Sequence, residues 1–507
     1  MSKLRAMIEG VLAVDPSAEA LEFEKVWQTW GDLANQKNAL DAALGKAGFG
    51  KGARIGVMVR NRAPMVPVLL CLFSTDRCLA TLNGGAPDEY LAADVRKVEA
   101  PVLVGLAQDW ARPDVRAAAD ESGAMLLELT GDLADPVRVL SPGDPARWTH
   151  RDAPDVAIEM LSSGTTGTPK RIPLARSKFE TALLGAAAYE KGRDADAAPR
   201  LRSGVTPVFA PIAHIAGITG VLNNLLAGRK VSLLEKFTVD GLRDMLARHK
   251  PKVVTAPPAA LRMFMDVNVP KEELASLSAW RSGTAPLDPK LADDFYQRYG
   301  IPVLQNYGAT EFAGGAAGWS LQDFKDHWKD KYGSVGRLNA GIEARAVDPE
   351  TGEPKAPGEE GLLEIRGANI ADGKEYVRTT DIAVVDADRF LFIKGRFDGA
   401  IIRGGFKVMP DDVVNALQQH PAIREAGVTG IPDRRLGQAP VAAYIVKSGA
   451  TAPTDEELNT FLRGLLMPYQ VPTRFLQVDE LPRTPSLKVS QPALKALFPT
   501  EGEDAGA

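Results

Sequence analysis

Residues 162–170, Ser-Ser-Gly-Thr-Thr-Gly-Thr-Pro-Lys, have the side chains of an anion-binding loop. Glycine lets backbone N–H groups turn toward an anion, the five hydroxyls add donors, and Lys170 adds charge. Apolar runs at 156–161 and 172–174 predict a strand on each side. The loop suits a polyphosphate. It lacks the Gly-Lys-Ser/Thr ending of a Walker A loop, which disfavours a P-loop motor or kinase, and a surface linker is the alternative interpretation.

A second polar loop follows the apolar run 301–304, which reads as a strand. Its residues are Asn306, Tyr307, Gly308, Ala309, Thr310 and Glu311. The loop offers an aromatic face, a glycine for close approach, a hydroxyl and a carboxylate. A hard cation such as Mg²⁺ that coordinates nucleotide phosphates is usually bound by only one or two protein carboxylates. A solvated loop acid is the alternative for Glu311 taken alone.

Three further segments carry chemistry-bearing side chains. Residues 281–287 form a Gly/Pro-containing turn of small residues, and 379–381 end in Asp381. Residues 395–398 read Gly-Arg-Phe-Asp. A carboxylate accepts hydrogen bonds from two neighbouring hydroxyls, and arginine adds fixed donors. Near the carboxyl end, the frame 481–489 presents Lys488 after Pro-Arg-Thr-Pro-Ser-Leu.

These segments follow one another along nearly the whole chain, and together they resemble the motifs of the adenylate-forming superfamily. The resemblance is to its acyl-CoA synthetase and aryl-CoA ligase branch. The resemblance implies that Tyr307 packs on adenine, Thr310 contacts phosphate and Glu311 holds Mg²⁺. It implies that Asp381 and Arg396 bind the ribose, and that Lys488 is the catalytic lysine, with Lys170 also at the reacting phosphates. Further nucleotide-binding residues implied by it are Ser162, Ser163, Gly164, Thr165, Thr166, Gly167, Gly283, Thr284, Ala285 and Asn306.

The resemblance also assigns the acid and thiol sites. The segment 211–218 looks like the acyl-pocket loop, which makes His214 a substrate-binding residue, and Gly308 of the 306–311 loop is also assigned to the substrate. A satisfied core histidine is the alternative for His214. Asp398 falls on the superfamily hinge, and Gly404 and Gly405 on the segment beside the thiol tunnel.

Two positions depart from the family pattern. Thr380 and Leu487 stand where the family usually has glycine. The first leaves Asp381 in place. The second adds a Cβ that would matter if the family's glycine has a positive φ.

Apolar periodicity predicts an α/β fold with two domains. Residues 1–397 are expected to form a large N-terminal domain of doubly wound α/β subdomains, with a small β subdomain from about 335 to 392. Residues 398–507 are expected to form a small mobile α+β domain that carries Lys488. Helical spacing is assigned to 21–46, and Thr454 with Glu457 predicts a capping box before the helix 455–466.

Composition is ordinary for a globular protein, with 45% hydrophobic and 25% charged residues and a net charge of −5. The charge gives no reason to expect nucleic acid as a partner. The two cysteines and five histidines have no metal-site spacing. No signal peptide or membrane span is predicted, so we expect a cytoplasmic enzyme without integral membrane association. The oligomeric state stays open, and a homodimer is one alternative.

The implied reaction joins a carboxylic acid to coenzyme A, with ATP and Mg²⁺, through an acyl-adenylate. The apolar 211–218 segment has no acid to pair an amino group, which favours a fatty or aromatic acid over an amino acid. The small residues 313–317 would make the pocket roomy if they line it. The alternatives are a synthetase that loads a carrier protein and an impaired acyl-adenylate binder.

Overall fold

The computed structural model describes residues 2–148, 150–161, 171–188, 198–309, 312, 314–370, 373–397, 399–403, 406–433, 436–484 and 487–499. Its elements up to residue 188 are α1 (Lys3–Leu12), β1 (Glu19–Phe23), β2 (Val26–Thr29), α2 (Trp30–Lys46), β3 (Arg54–Val59), α3 (Met65–Ser74), β4 (Cys78–Asn83), α4 (Asp88–Val98), β5 (Val102–Leu106), α5 (Ala107–Trp110), α6 (Pro113–Ser122), β6 (Met125–Leu129), β7 (Val137–Ser141), β8 (Val156–Leu161), β9 (Arg171–Ala175) and α7 (Arg176–Ala188).

The elements from 198 onward are β10 (Val205–Val208), α8 (Ile215–Leu226), β11 (Lys230–Leu233), α9 (Val239–His249), β12 (Val253–Thr255), α10 (Pro258–Asp266), β13 (Ala279–Ser282), α11 (Pro289–Tyr299), β14 (Val303–Ala309), β15 (Gly314–Gly318), α12 (Leu321–His327), β16 (Arg337–Leu338), β17 (Ile342–Val347), β18 (Glu360–Gly367), β19 (Val377–Val385), β20 (Leu391–Arg396), β21 (Ile401–Arg403), β22 (Phe406–Val408), α13 (Pro410–Gln418), β23 (Ile423–Asp433), β24 (Gly437–Val446), α14 (Asp455–Arg463), β25 (Arg474–Gln477) and α15 (Gln491–Ala496).

A seven-stranded sheet in the order β7-β6-β5-β3-β4-β8-β9 confirms the predicted doubly wound layer. Its inner strands pair in parallel, and the two edge strands are antiparallel. Both faces are covered, because side chains of β3 such as Val57 and Met58 enter two different hydrophobic clusters. Strands β8 and β9, which flank the 162–170 segment in the sequence, are the last two strands on one side of this sheet.

The predicted helix at 21–46 is wrong in its first third. β1 and β2 form an antiparallel hairpin there, and the helix starts only at Trp30. Glu24 and Lys25 have φ of 51° and 67°, a left-handed pair that turns the chain sharply. Thr29 and Asp32 then make a capping box that starts the helix. The hairpin joins β10 and β11 in a four-stranded sheet.

A five-stranded sheet, β12-β13-β14-β15-β16, carries the next two motifs. Strands β12, β13 and β14 are parallel, so the loops after β13 and β14 emerge at one edge. The antiparallel sheet β17-β18-β19-β20 confirms the small β subdomain expected around 335–392, and it ends at Arg396.

A fifth sheet, β22-β21-β24-β23 with β25 beside β24, forms the small C-terminal unit with α13, α14 and α15. The predicted capping box is present, since Thr454 Oγ1 accepts from the Glu457 amide and the Glu457 carboxylate accepts from the Thr454 amide. Helix α14 ends at Arg463, three residues short of the predicted end. The domain boundary at 397/398 stays a prediction. None of the described helices is long and apolar enough to cross a membrane.

Candidate active site

The loop after β13 lies against β14, where the predicted adenine-binding residues stand. Ser282 is in register with Gln305, so Gly283 comes next to Asn306. A Cβ on Gly283 would overlap Asn306 Oδ1, so only glycine permits this approach. Thr284 follows with a φ of 70°, which is unusual for a β-branched residue and often marks a functional site. The pair forms a tight backbone cradle at the sheet edge.

Three of the predicted nucleotide-binding residues meet across two sheets. The hydroxyl of Tyr307, on β14, donates to Asp381 Oδ2 on β19. Asp381 is in register with Arg396 on β20. The Arg396 guanidinium also donates to Thr380 Oγ1 at 2.8 Å. Thr380 therefore holds Arg396 from the position where the family usually has glycine.

Asp411, which sequence reasoning missed, lies beside this group. It is at the start of α13, and its Oδ2 is 3.4 Å from the Cβ position of Gly395. The pKa of Asp411 is raised to about 6, mainly by burial and also by the charges of Asp412 and Asp381, while Arg396 acts to lower it. No motif marks this carboxyl, because it reaches the site only through the packing of α13 against β20.

Lys488 meets the same region from the C-terminal unit. Burial lowers the pKa of the half-buried Lys488, and the charge of Arg396 lowers it further. Burial also lowers the pKa of His214, with a second contribution from the positive charge of Lys488. The charge of the predicted catalytic lysine therefore acts on the acyl-pocket histidine, and the ribose arginine acts on the lysine.

His214 is the N-cap residue of α8, and its side chain does not cap the helix. Its amide donates to the Pro211 carbonyl at 2.9 Å, and the Gly217 amide donates back to His214 at 3.0 Å. A Cβ on Gly217 would overlap the Pro211 oxygen, so glycine is required for this tight turn. The tight turn thus fixes the backbone of His214 at the start of α8.

Asn61 belongs to no motif, and its buried side chain hydrogen-bonds the segment that contains this turn. Its Nδ2 donates to the carbonyls of Ala210 and Leu234, both at 3.1 Å, and its Oδ1 accepts from the Ile212 amide at 2.8 Å. All three bonds are long-range in sequence. They fix the 210–212 segment between two sheets.

The described residues among 313–317, which were expected to line a roomy pocket, lie in two different environments. Gly308 is in register with Gly315 across the β14–β15 pair, and Gly315 is exposed. Ala316 and Ala317 are fully buried in a hydrophobic cluster with Phe312 and Leu363. The glycines therefore keep this face of the hairpin open, while the two alanines pack in the core.

Several predicted site residues lie outside the described residues, and their roles stay predictions. They are Ser162, Ser163, Gly164, Thr165, Thr166, Gly167, Lys170, Thr310, Glu311, Asp398, Gly404 and Gly405. The strands that carry the first group are described, with Leu161 in register with Arg171. The two strands predicted to flank the segment are therefore confirmed.

The two units also meet away from the site. Arg424 on β23 pairs with Asp266 on α10 at 3.6 Å. Burial raises the pKa of Asp266, whereas the charge of Arg424 lowers it. This ion pair spans the two units in the orientation that brings Lys488 to His214.

Family models confirm the resemblance based on these motifs. The AMP-binding enzyme model matches residues 8–373, and the model of the AMP-binding enzyme C-terminal domain matches 413–488. The chain belongs to the AMP-binding enzyme family. The individual roles of Glu311, Asp381 and Lys488 stay predictions.

Named relatives cover nearly the whole chain. A 2-succinylbenzoate–CoA ligase of Bacillus velezensis is 27% identical over 501 residues, covering 95% of this chain and 96% of the relative. A 4-coumarate–CoA ligase of Oryza sativa subsp. japonica is 28% identical over 504 residues, covering 94% and 89%. The o-succinylbenzoate coenzyme A synthetase of Bacillus subtilis, solved with ATP and magnesium ion, superposes with a TM-score of 0.77 at 21% identity, covering 96% and 99%. This last likeness shows a common fold.

Proposed function

We propose that this protein is an AMP-forming acid–thiol ligase that converts a hydrophobic carboxylic acid, ATP and coenzyme A into acyl-CoA, AMP and pyrophosphate. Family membership and two CoA ligase relatives support the reaction class. The observation that carries the proposal is the grouping of Tyr307, Asp381 and Arg396 across two sheets, with Arg396 also lowering the pKa of Lys488 in the C-terminal unit.

The nucleotide would occupy the edge where β13, β14, β19 and β20 meet. Tyr307 supplies an aromatic face for adenine, and the exposed Thr284 follows the close Gly283–Asn306 approach at the same sheet edge. Asp381 accepts from ribose hydroxyls, and Arg396 adds fixed donors. The residues present therefore fit an adenosine moiety.

The triphosphate and its cation would lie at the segments that follow β8 and β14. We assign phosphate contacts to the 162–170 segment, including Lys170, and to Thr310. Glu311 would hold Mg²⁺, because a carboxylate is the ligand this cation prefers. Bound there, Mg²⁺ supplies positive charge that stabilises the leaving pyrophosphate.

In the first half-reaction, a carboxylate oxygen forms a bond to the α-phosphorus of ATP, and the bond to pyrophosphate breaks. Two anions must approach, so charge neutralisation and positioning dominate the catalysis. We assign this task to the Lys488 ammonium. Its lowered pKa reflects burial near Arg396, and the arriving anions reverse that effect.

In the second half-reaction, the thiol sulfur of coenzyme A forms a bond to the acyl carbon. The bond from that carbon to the phosphate-linked oxygen breaks, AMP leaves with that oxygen, and the thiol proton goes to solvent. A thiol with an ordinary pKa near 8.5 needs little help from a base near neutral pH. Lys488 must withdraw to admit the thiol beside Gly404 and Gly405, which we assign to rotation at Asp398.

We propose an apolar acid, fatty or aromatic, as the substrate. The residues around His214 are Ile212, Ala213, Ile215 and Ala216, none of which can pair an ammonium group. His214 is kept neutral by its surroundings near pH 7, since burial and Lys488 both lower its pKa. A neutral ring can lie beside an apolar acyl group without an uncompensated charge.

A panel of fatty, aryl and amino acids with ATP and Mg²⁺ tests the function. We expect pyrophosphate release with at least one fatty or aryl acid, and a thioester by mass spectrometry once coenzyme A is added. Acceptance of a free amino acid alone would contradict the substrate class. Pyrophosphate release without a thioester would instead support a synthetase that loads a carrier protein, and binding without release would support an impaired binder.

A further inference from the structure

Leu487, which precedes Lys488, has a left-handed backbone with a φ of 63°. Leucine rarely adopts this conformation, because its Cβ then lies too close to its own carbonyl oxygen. Glycine has no such restriction. The residue next to the proposed catalytic lysine is therefore held in a conformation that its own side chain disfavours.

Two backbone hydrogen bonds close the turn around this residue. The Leu487 amide donates to the Thr484 carbonyl at 2.8 Å, and the Thr484 amide donates to the Lys488 carbonyl at 2.8 Å. Residues 485 and 486 lie outside the described residues. These bonds close the turn, but they leave the carbonyl of Leu487 itself to another partner.

Arg483 supplies that partner. Its Nη1 donates to the Leu487 carbonyl at 3.0 Å, and its Nη2 donates to Glu425 Oε1 on β23. The Arg483 and Glu425 side chains are only 22% and 17% exposed, so the pair is largely shielded from water. A charge-assisted donor fixed by a carboxylate is a strong and directional contact. It orients the peptide unit that joins Leu487 to Lys488.

We propose that Arg483, fixed by Glu425, is a positioning residue for adenylation: it holds Leu487 in the left-handed conformation and thereby directs Lys488 toward His214 and Arg396. The inference rests on the proposed function of Lys488. A chain with glycine at 487 would reach the same turn without this help, so the arginine compensates for the leucine.

A double-mutant cycle of Arg483→Met and Leu487→Gly tests the coupling. Arg483→Met is expected to lower kcat for acid-dependent pyrophosphate release by tenfold or more, with KM for ATP changed less than threefold. Leu487→Gly alone should change kcat less than threefold. In the double variant, glycine should restore kcat to within about threefold of the unsubstituted enzyme, because the left-handed turn no longer needs the clamp. Arg483→Lys should fall between Arg483→Met and the unsubstituted enzyme.

Thioester formation from supplied acyl-AMP separates positioning from general damage. We expect Arg483→Met to keep this step within about twofold. Arg474→Met is the matched control, since Arg474 is exposed, lies in the same unit and also donates to a backbone carbonyl, that of Pro499. It should leave both steps unchanged. The thermal unfolding midpoint is measured for each variant. It should not fall in parallel with kcat.

Three results would overturn the inference: no loss in Arg483→Met, the same loss whether position 487 holds leucine or glycine, or an equal loss in both half-reactions. Lys488→Ala distinguishes this failure from failure of the proposed function. If that variant keeps adenylation, the role of Lys488 is wrong. If it loses adenylation while the cycle is additive, only the role of Arg483 is wrong.

Discussion

At the scale of single residues, the site brings together charged side chains that are far apart in the sequence. Lys488 comes from the C-terminal unit, Arg396 from the end of β20 and Asp381 from β19. The charge of Arg396 lowers the pKa of Lys488, so the two cations repel each other. Such an arrangement favours anions, because each bound phosphate or carboxylate relieves the repulsion between the cations.

Lys488→Ala is expected to slow adenylation by about a hundredfold or more, because one positioned charge in a partly dry site is lost. Thioester formation from supplied acyl-AMP should be largely retained, since the anhydride no longer requires two anions to approach. Acid-dependent pyrophosphate release and thioester mass measure the two steps. Adenylation near the rate of the unsubstituted enzyme would show that the lysine has another task.

Asp381→Asn is expected to raise KM for ATP by about ten- to a hundredfold, the cost of one lost hydrogen bond to a charged group. Tyr307→Phe removes only the hydroxyl that donates to Asp381 and should have a smaller effect. Asp388→Asn is the control, because Asp388 lies exposed in the turn after β19 and forms an ion pair with Lys331. An unchanged KM in Asp381→Asn would place the ribose elsewhere.

The sequence predicted those residues that belong to a contiguous motif. Tyr307, Asp381 and Arg396 each stand in such a segment, and the structure brings them together. Asn61, Asp411 and Glu425 could not be found this way, because each acts through contacts with segments far along the chain. Leu487 was noted as a departure, but the sequence did not reveal that Arg483 holds its carbonyl.

At the scale of elements, the segment after β20 connects the two units. Strand β20 ends at Arg396 and β21 begins at Ile401, so four residues separate a strand of one sheet from a strand of another. A connection this short restricts rotation to a few backbone dihedrals. The Asp266–Arg424 pair, between α10 and β23, would have to break when the units turn.

Asp398→Pro is expected to separate the half-reactions, because proline fixes φ near −65° and traps the compatible orientation. One of the two steps should collapse while the other survives, measured by pyrophosphate release and by conversion of supplied acyl-AMP. Asp398→Ala, the matched control, should disturb both far less. A folded proline variant in which both steps fall equally, or neither falls, would contradict the hinge.

Element prediction failed where a local turn decided the structure. Residues 21–29 have helical spacing of apolar side chains, yet the left-handed pair Glu24–Lys25 turns them into a hairpin that completes a sheet with β11. The partner strand lies some two hundred residues away in the sequence, and periodicity cannot report it. The strand at 156–161 and the start of the helix at 455 were found where predicted.

At the scale of the whole molecule, we expect the contact between the two units to depend on pH. Asp411 of the small unit faces Asp381 and Arg396 of the large one, with Asp412 beside it on its own helix. Its pKa is raised from 3.8 to about 6. The folded protein therefore binds a proton more readily than the unfolded chain, and this carboxyl reduces stability as the pH rises from about 4 toward 6.

Asp411→Asn should accordingly stabilise the fold more at pH 7.5 than at pH 5, because the amide is never ionised. One pKa unit corresponds to about 1.4 kcal/mol, which is the size of the expected difference between the two pH values. Unfolding midpoints of both proteins at each pH measure it, and Asp455→Asn, in the first turn of α14, serves as the control. A stabilisation that is equal at both pH values would contradict the raised pKa.

The central claim is that a carboxylate oxygen attacks the α-phosphate of ATP, and isotope labelling tests it directly. An acid accepted in the panel is supplied with both carboxylate oxygens as ¹⁸O, together with ATP, Mg²⁺ and coenzyme A. The products are then weighed by mass spectrometry. The acyl-adenylate route predicts one ¹⁸O atom in each AMP formed and none in pyrophosphate. Unlabelled AMP, or ¹⁸O in pyrophosphate or orthophosphate, would contradict it.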